Sequence, residues 1–156
     1  MKKLIILSLL AISFSSCKNN TAKEQNTSGD KEEMTTEKQS SLLEVGCYSY
    51  NGNGSTIDLE ITGLENGVVG KLIYLLDGKD SNAGIFNGKL NGDKLFGAYT
   101  FMSEGIESKR EVAFLIKDDQ LIEGYGELNG NGTAFVDKSN INYTSTMPLT
   151  KTDCDK

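Results

Sequence analysis

The amino-acid sequence predicts an all-β fold: a single small antiparallel up-and-down β-barrel of about eight strands. Three observations carry this expectation. Apolar and polar residues alternate in short runs, the period of a strand with one buried face. Gly, Asn and Asp clusters separate those runs at spacings of roughly 8–12 residues, as in all-β domains. No stretch shows the apolar spacing of an amphipathic helix. Closure of such a meander into a barrel removes its exposed edges, and a two-sheet β-sandwich is the alternative for the same strands.

The runs follow in order. The first, around Cys47, Tyr48 and Tyr50, stops at Asn51-Gly52-Asn53-Gly54. Ile57, Leu59 and Ile61 then alternate with Asp58, Glu60 and Thr62. Glu65-Asn66-Gly67 turns the chain into Val68 to Leu76, which is apolar on both faces. A polar loop from Asp77 to Ala83 precedes a strand from Gly84 to Leu90. Asn91-Gly92-Asp93 is a tight hairpin turn, with Asn-Gly as its central pair because both positions need positive φ. Leu95, Gly97, Tyr99 and Phe101 share the next inner face, and Ser103 to Ser108 is a loop. Val112, Phe114 and Ile116 alternate against Glu111, Ala113 and Lys117. Asp118-Asp119 turns into a strand from Leu121 to Leu128. After Asn129-Gly130-Asn131-Gly132, the segments Ala134 to Val136 and Asn142 to Ser145 are the last to pair.

The domain does not use all 156 residues. Lys2 and Lys3 precede an apolar run from Leu4 to Phe14, and Ser15 and Ser16 lead into Cys17. The run is shorter than the ~20 residues a spanning helix needs. Residues 1–16 therefore have the form of a signal peptide. Phe14-Ser15-Ser16-Cys17 resembles a bacterial lipobox, the signature of lipoproteins whose cysteine thiol takes a diacylglycerol before cleavage. The resemblance implies lipidation at Cys17 with chains such as palmitate, and a membrane partner through this N-terminal lipid anchor. It places the protein in the bacterial cell envelope. Lys18 follows the cysteine, without the Asp that commonly retains lipoproteins in the inner membrane, which implies the outer membrane, facing the periplasm. Cell-surface display uses acidic residues at the positions held here by Asn19 and Asn20. Residues 17–41 lack any aromatic residue or period and are expected to be the lipidated cysteine and a disordered linker. Residues 42–156 form the barrel domain.

After lipidation two cysteines remain, Cys47 and Cys154. An oxidising compartment makes a disulfide between them the expected state. The bridge requires the first and last strands to be neighbours, which is also what barrel closure requires.

Composition excludes several chemistries. The chain has no His, so Ser-His-Asp catalysis, Cys-His catalysis and His-ligated zinc are ruled out. Removing residues 1–16 takes away Lys2 and Lys3. The barrel then holds 10 basic against 17 acidic side chains, a net charge of -7. Acidity of that size argues against nucleic acid as a partner.

The candidate contacts follow from the strand faces. Tyr99, Phe101, Phe114 and Tyr125 are expected to line the barrel interior, with Gly124 and Gly126 either relieving crowding or opening a cavity. The stretch from Ser103 to Glu111 carries Glu104, Glu107, Glu111 and the only arginine, Arg110. Arg110 engages a carboxylate, packs on Tyr99 or Tyr125, or meets a partner. Glu104, Glu127 and Arg110 are the best residues for an enzyme, yet nothing marks them as catalytic. Asp77 to Asn82 offers oxygen ligands without the EF-hand pattern. Asp58 and Glu60 fit the polar side of an amphipathic strand. No catalytic residue, metal or cofactor is assigned.

The overall form is similar to that of the lipocalin-like and lysozyme-inhibitor-like lipoproteins of bacterial envelopes. That likeness is one of architecture and does not assign a function. The expected function is a non-catalytic binding module for a small apolar or amphipathic ligand. The alternative is an interaction or inhibitor module that meets an envelope protein through its loops.

Overall fold

The computed structural model describes residues 42–154. The signal peptide, Cys17 and the linker lie outside the described residues. Eight strands run in sequence order around a closed barrel, each antiparallel to its neighbours. They are β1 (Gly46–Gly52), β2 (Ser55–Gly63), β3 (Val68–Leu75), β4 (Asn82–Asn91), β5 (Lys94–Ser103), β6 (Ile106–Lys117), β7 (Gln120–Gly124) and β8 (Leu149–Thr152). The up-and-down barrel is therefore the architecture, and the sandwich is not.

Turn chemistry sets the meander. Asn53-Gly54, Glu104-Gly105 and Asp118-Asp119 have positive φ at both residues, as two-residue hairpins matching the strand twist require. The stretch from Ser103 to Ser108, expected as a loop, is instead the Glu104-Gly105 turn with strand on either side, because Ser103 pairs directly with Ile106. The β4–β5 turn sits one residue later than expected. Asn91 pairs with Lys94, so Gly92-Asp93 is the central pair, and only Gly92 has positive φ. That is the type II′ pattern, with glycine first. We refer to the barrel end carrying turns 53–54 and 104–105 as the upper end.

The C-terminal quarter departs furthest from the expected pattern. β7 stops at Gly124 instead of continuing to Leu128. The segments expected to pair last make only single bridges, Leu128 with Phe135 and Tyr125 with Asn142. The closing strand is Leu149–Thr152, whose Thr150-Lys151-Thr152 tail has no apolar alternation to betray it.

Inward-facing residues fill the lower barrel. Leu59, Leu72, Phe86, Leu95 and Phe114 are all fully buried. Burying each such side chain stabilises the fold by about 1.5–3 kcal/mol. The Phe86 ring lies across Gly88 and Gly97, which face each other on β4 and β5. A Cβ on Gly97 would come within 2.4 Å of that ring. These glycines seat an aromatic ring and do not open a cavity. Phe114 meets Phe86 edge-on at 6.4 Å.

Closure rests on few backbone pairs: Cys47, Tyr48 and Ser49 of β1 with Thr152, Lys151 and Thr150 of β8, and Gln120 and Leu121 of β7 with Thr150 and Leu149. The Cys47–Cys154 disulfide lies beside the β1–β8 pairing, with its Cα atoms 5.2 Å apart and a sequence separation of 107. A crosslink of that span removes on the order of 4–5 kcal/mol of unfolded-chain entropy in the loop-closure model. The double replacement Cys47→Ser with Cys154→Ser is expected to lower the unfolding free energy in urea by about 2–5 kcal/mol. Hydrogen exchange should show the amides of β8 losing protection first. Unchanged protection there would mean that backbone pairing alone closes the barrel.

Candidate functional site

Strands β3, β5 and β6 direct Tyr74, Tyr99, Phe101 and Arg110 into the upper end of the barrel, and β7 adds Glu123. Arg110 pairs across the ladder with Tyr99, so the two side chains share the inner face. The Arg110 guanidinium carbon lies 5.0 Å from the Tyr74 ring centre and 5.7 Å from those of Tyr99 and Phe101. Tyr99 and Phe101 stack at 4.7 Å, and Tyr74 tilts against Tyr99 at 5.7 Å. A guanidinium among ring faces is stabilised by the ring quadrupoles, by about 0.5–2 kcal/mol depending on desolvation. The Tyr74 hydroxyl donates a buried hydrogen bond of 2.9 Å to Glu123 Oε1.

Burial dominates the electrostatics of this group. It pushes the Glu123 carboxyl above the ordinary glutamate value, and the Tyr74 hydrogen bond and Arg110 only partly oppose it. Burial, reinforced by Glu123, holds the Tyr74 phenol well above its usual range. The Tyr99 phenol is pushed up to about 12 by burial, against the pull of Arg110. Both phenols therefore stay neutral and available as donors. Arg110 Nε, the Tyr99 hydroxyl and Asn82 Oδ1 are buried without a hydrogen-bond partner. The Arg110 guanidinium makes no ion pair among the described residues. An unmet buried polar group costs about 1–3 kcal/mol, and more when charged, so this cluster favours any partner that supplies the missing contacts.

The barrel wall opens beside Arg110. The last β6–β7 pair is Ala113 with Gly124, while β6 continues upward to Ile106. Above that pair the wall is the irregular connection 125–148, held by Glu111. Glu111 Oε2 accepts from the Phe135 amide at 2.9 Å and Oε1 from Lys138 Nζ at 2.7 Å, and the Glu111 amide donates to the Thr133 carbonyl at 2.8 Å. Burial disfavours the Glu111 charge, but the Lys138 and Phe135 bonds outweigh it and hold the carboxyl below its ordinary value. Between β6, β7 and this connection lies a cleft of about 120 Å³. Arg110 and Glu123 form its inner wall, and Tyr125, Leu128 and Phe135 form its outer wall. Farther along, Ile141 and Tyr143 pack onto Gly124 so closely that a Cβ there would meet them at 2.5 and 2.6 Å. Gly124 thus relieves crowding on the outside of the barrel.

The sequence-predicted residues divide accordingly. Tyr99, Phe101 and Arg110 come together, with Arg110 on Tyr99 and not on Tyr125. Phe114 belongs to the solid lower core, where it has no access to a ligand. Tyr125 does not line the interior: β7 ends one residue before it, and it is 48% exposed on the outer wall of the cleft. Glu104 sits at an exposed hairpin tip and Glu127 on the exposed connection, apart from the cluster. Glu60 pairs with Lys71 at 3.2 Å on the outer surface. Among the described residues no group of acids or cysteines is placed to hold a metal ion. Sequence reasoning missed Tyr74, Glu123 and Phe135 as members of the site, and named Glu111 and Asn82 only within polar stretches. Glu123 had a local signal, since it falls in phase with the inward-facing Leu121; Tyr74 was hidden in a strand apolar on both faces.

No protein-family model, curated protein or solved structure matches the chain.

The two glutamates give opposite pH dependences. Glu111, lowered on folding, contributes stability above the ordinary carboxylate range and loses it as pH falls through its folded value. Glu123, raised on folding, favours the folded state while protonated and loses that contribution as pH rises through its folded value. Denaturation series across pH should therefore show Glu123→Gln gaining stability over the wild type above the unperturbed glutamate value of 4.5. Glu111→Gln should lose stability over the same rise. Parallel curves for the two variants would contradict the assignment.

Proposed function

We propose that this chain is a lipid-anchored protein of the bacterial cell envelope whose barrel is a non-catalytic binding module for a small amphipathic ligand. The anchor is Cys17, supported by the lipobox-like residues 14–17. The Cys47–Cys154 disulfide fits the oxidising compartment in which such a protein resides. The observation that carries the binding reading is the two-sided cleft beside β6: unpartnered Arg110 within, apolar Leu128 and Phe135 without. A ligand with one polar end and a short apolar body meets both walls at once. The filled lower core limits such a ligand to the upper rim and the side of the barrel.

A second reading has its own observation. Outward-facing Ile85 and Met102 are 47% and 51% exposed on neighbouring strands, an apolar surface of the kind used in protein contacts. Native mass spectrometry of the full chain recovered from its own envelope separates the two. A co-purifying mass of small-molecule size, lost in Leu128→Glu, supports the ligand reading. A protein-sized mass, retained in Leu128→Glu and lost in Met102→Glu, replaces it with the interaction reading.

A further inference from the structure

We propose that the cleft between β6 and residues 125–136 receives the carboxylate of a monoanionic ligand, with the Arg110 guanidinium as its partner. This deepens the binding-module reading and rests on it.

Charge is the first argument. One basic and two acidic side chains line the cleft: Arg110, Glu111 and Glu123. Glu111 is already matched by Lys138 Nζ and the Phe135 amide. Glu123 shares the buried Tyr74 hydroxyl, and its surroundings disfavour ionisation. Arg110 makes no ion pair among the described residues, so its positive charge is the least matched of the three in this space.

The second argument concerns the kind of contact that is missing. Three aromatic rings lie 5.0–5.7 Å from the guanidinium carbon, and they attract its charge without supplying the oxygen acceptors that its in-plane N–H groups need. Nε is buried with no acceptor. The missing partner is therefore an oxygen acceptor in the guanidinium plane, the geometry that carboxylates supply. A cationic ligand finds no aromatic cage here, because Arg110 already occupies it.

Size and charge then choose among oxyanions. The cleft of about 120 Å³ is small, so it takes a carboxylate and the carbons next to it. A phosphate monoester carries about -1.5 to -2 charges at neutral pH, more than one guanidinium neutralises, with the Glu123 carboxyl alongside. Beyond the carboxylate the ligand runs out past Leu128 and Phe135, so its body is apolar.

The test compares octanoate, octanol and octyltrimethylammonium by calorimetric titration of the full-length chain. Octanoate is expected to bind about tenfold or more tightly than octanol, the return on a charge-assisted hydrogen bond. Arg110→Gln should erase that preference and leave the octanol affinity in place. Arg110 also packs on three rings, so Glu123→Gln supplies an independent check that retains the bond from Tyr74. It should leave the preference for octanoate over octanol in place, because Arg110 and not Glu123 carries it and the Gln side chain still accepts from the Tyr74 hydroxyl. Loss of the preference in this variant overturns the assignment. Equal affinities for octanoate and octanol overturn the carboxylate inference while leaving the binding reading intact. Tightest binding of octyltrimethylammonium also overturns it, with Glu123 as the anchor. Failure of all three probes to bind overturns the underlying reading.

Discussion

The seam where β8 meets β1 governs the rest of this structure. β8 has four residues, and only three of β1 pair with it. A barrel has no exposed edge only if its last strand returns to its first, and here the return is brief and crosslinked by Cys47–Cys154. Because β8 reaches only the lower part of β7, at Gln120 and Leu121, the upper wall between β6 and β1 is left to the irregular connection 125–148. The side cleft exists because β7 ends at Gly124 and does not cover the full height of β6.

The same geometry accounts for a charged pair of residues inside an otherwise apolar barrel. Glu123 lies on the last inward position of β7, and Arg110 lies on β6 just above the last β6–β7 pair. Both sit where the apolar lower core gives way to the aromatic and polar side chains of the upper end. Local preference would exclude them from an inner face, and such a conflict between local and global order is the mark of a functional or strained site. The structure offsets part of the cost with three aromatic rings around Arg110 and the Tyr74 bond to Glu123. It leaves Nε, the Tyr99 hydroxyl and Asn82 Oδ1 unmet.

A barrel hollow along its length and one packed below with a lateral cleft suit different ligands. Phe86 seated over Gly88 and Gly97, with Phe114 against it, makes this barrel the second kind. The lower core supplies stability, and the upper rim, relieved of that task, presents the polar cluster. Glu111 links the two, since one carboxylate fixes the outer wall of the cleft through Phe135 and Lys138.

Strand alternation from β1 through β6 was legible in the sequence because a period of two and Asn-Gly-type turns are local signals, readable within a few residues. The disulfide was legible because only two cysteines remain beyond Cys17. Arg110 stood out as the only arginine, but the sequence left both Tyr99 and Tyr125 open as its aromatic partner, and the β5–β6 register chose Tyr99. The C-terminal quarter was not legible: Leu121 to Leu128 has the composition of a strand, yet β7 ends at Gly124 and Tyr125 exchanges its backbone hydrogen bonds with Asn142 instead. Tertiary structure alone decided which carboxylates matter. Tyr74 meets Glu123 across 49 residues, and Phe135 meets Glu111 across 24. Contacts of that separation depend on how the barrel closes and where its wall is left open, and neither is written in any local period.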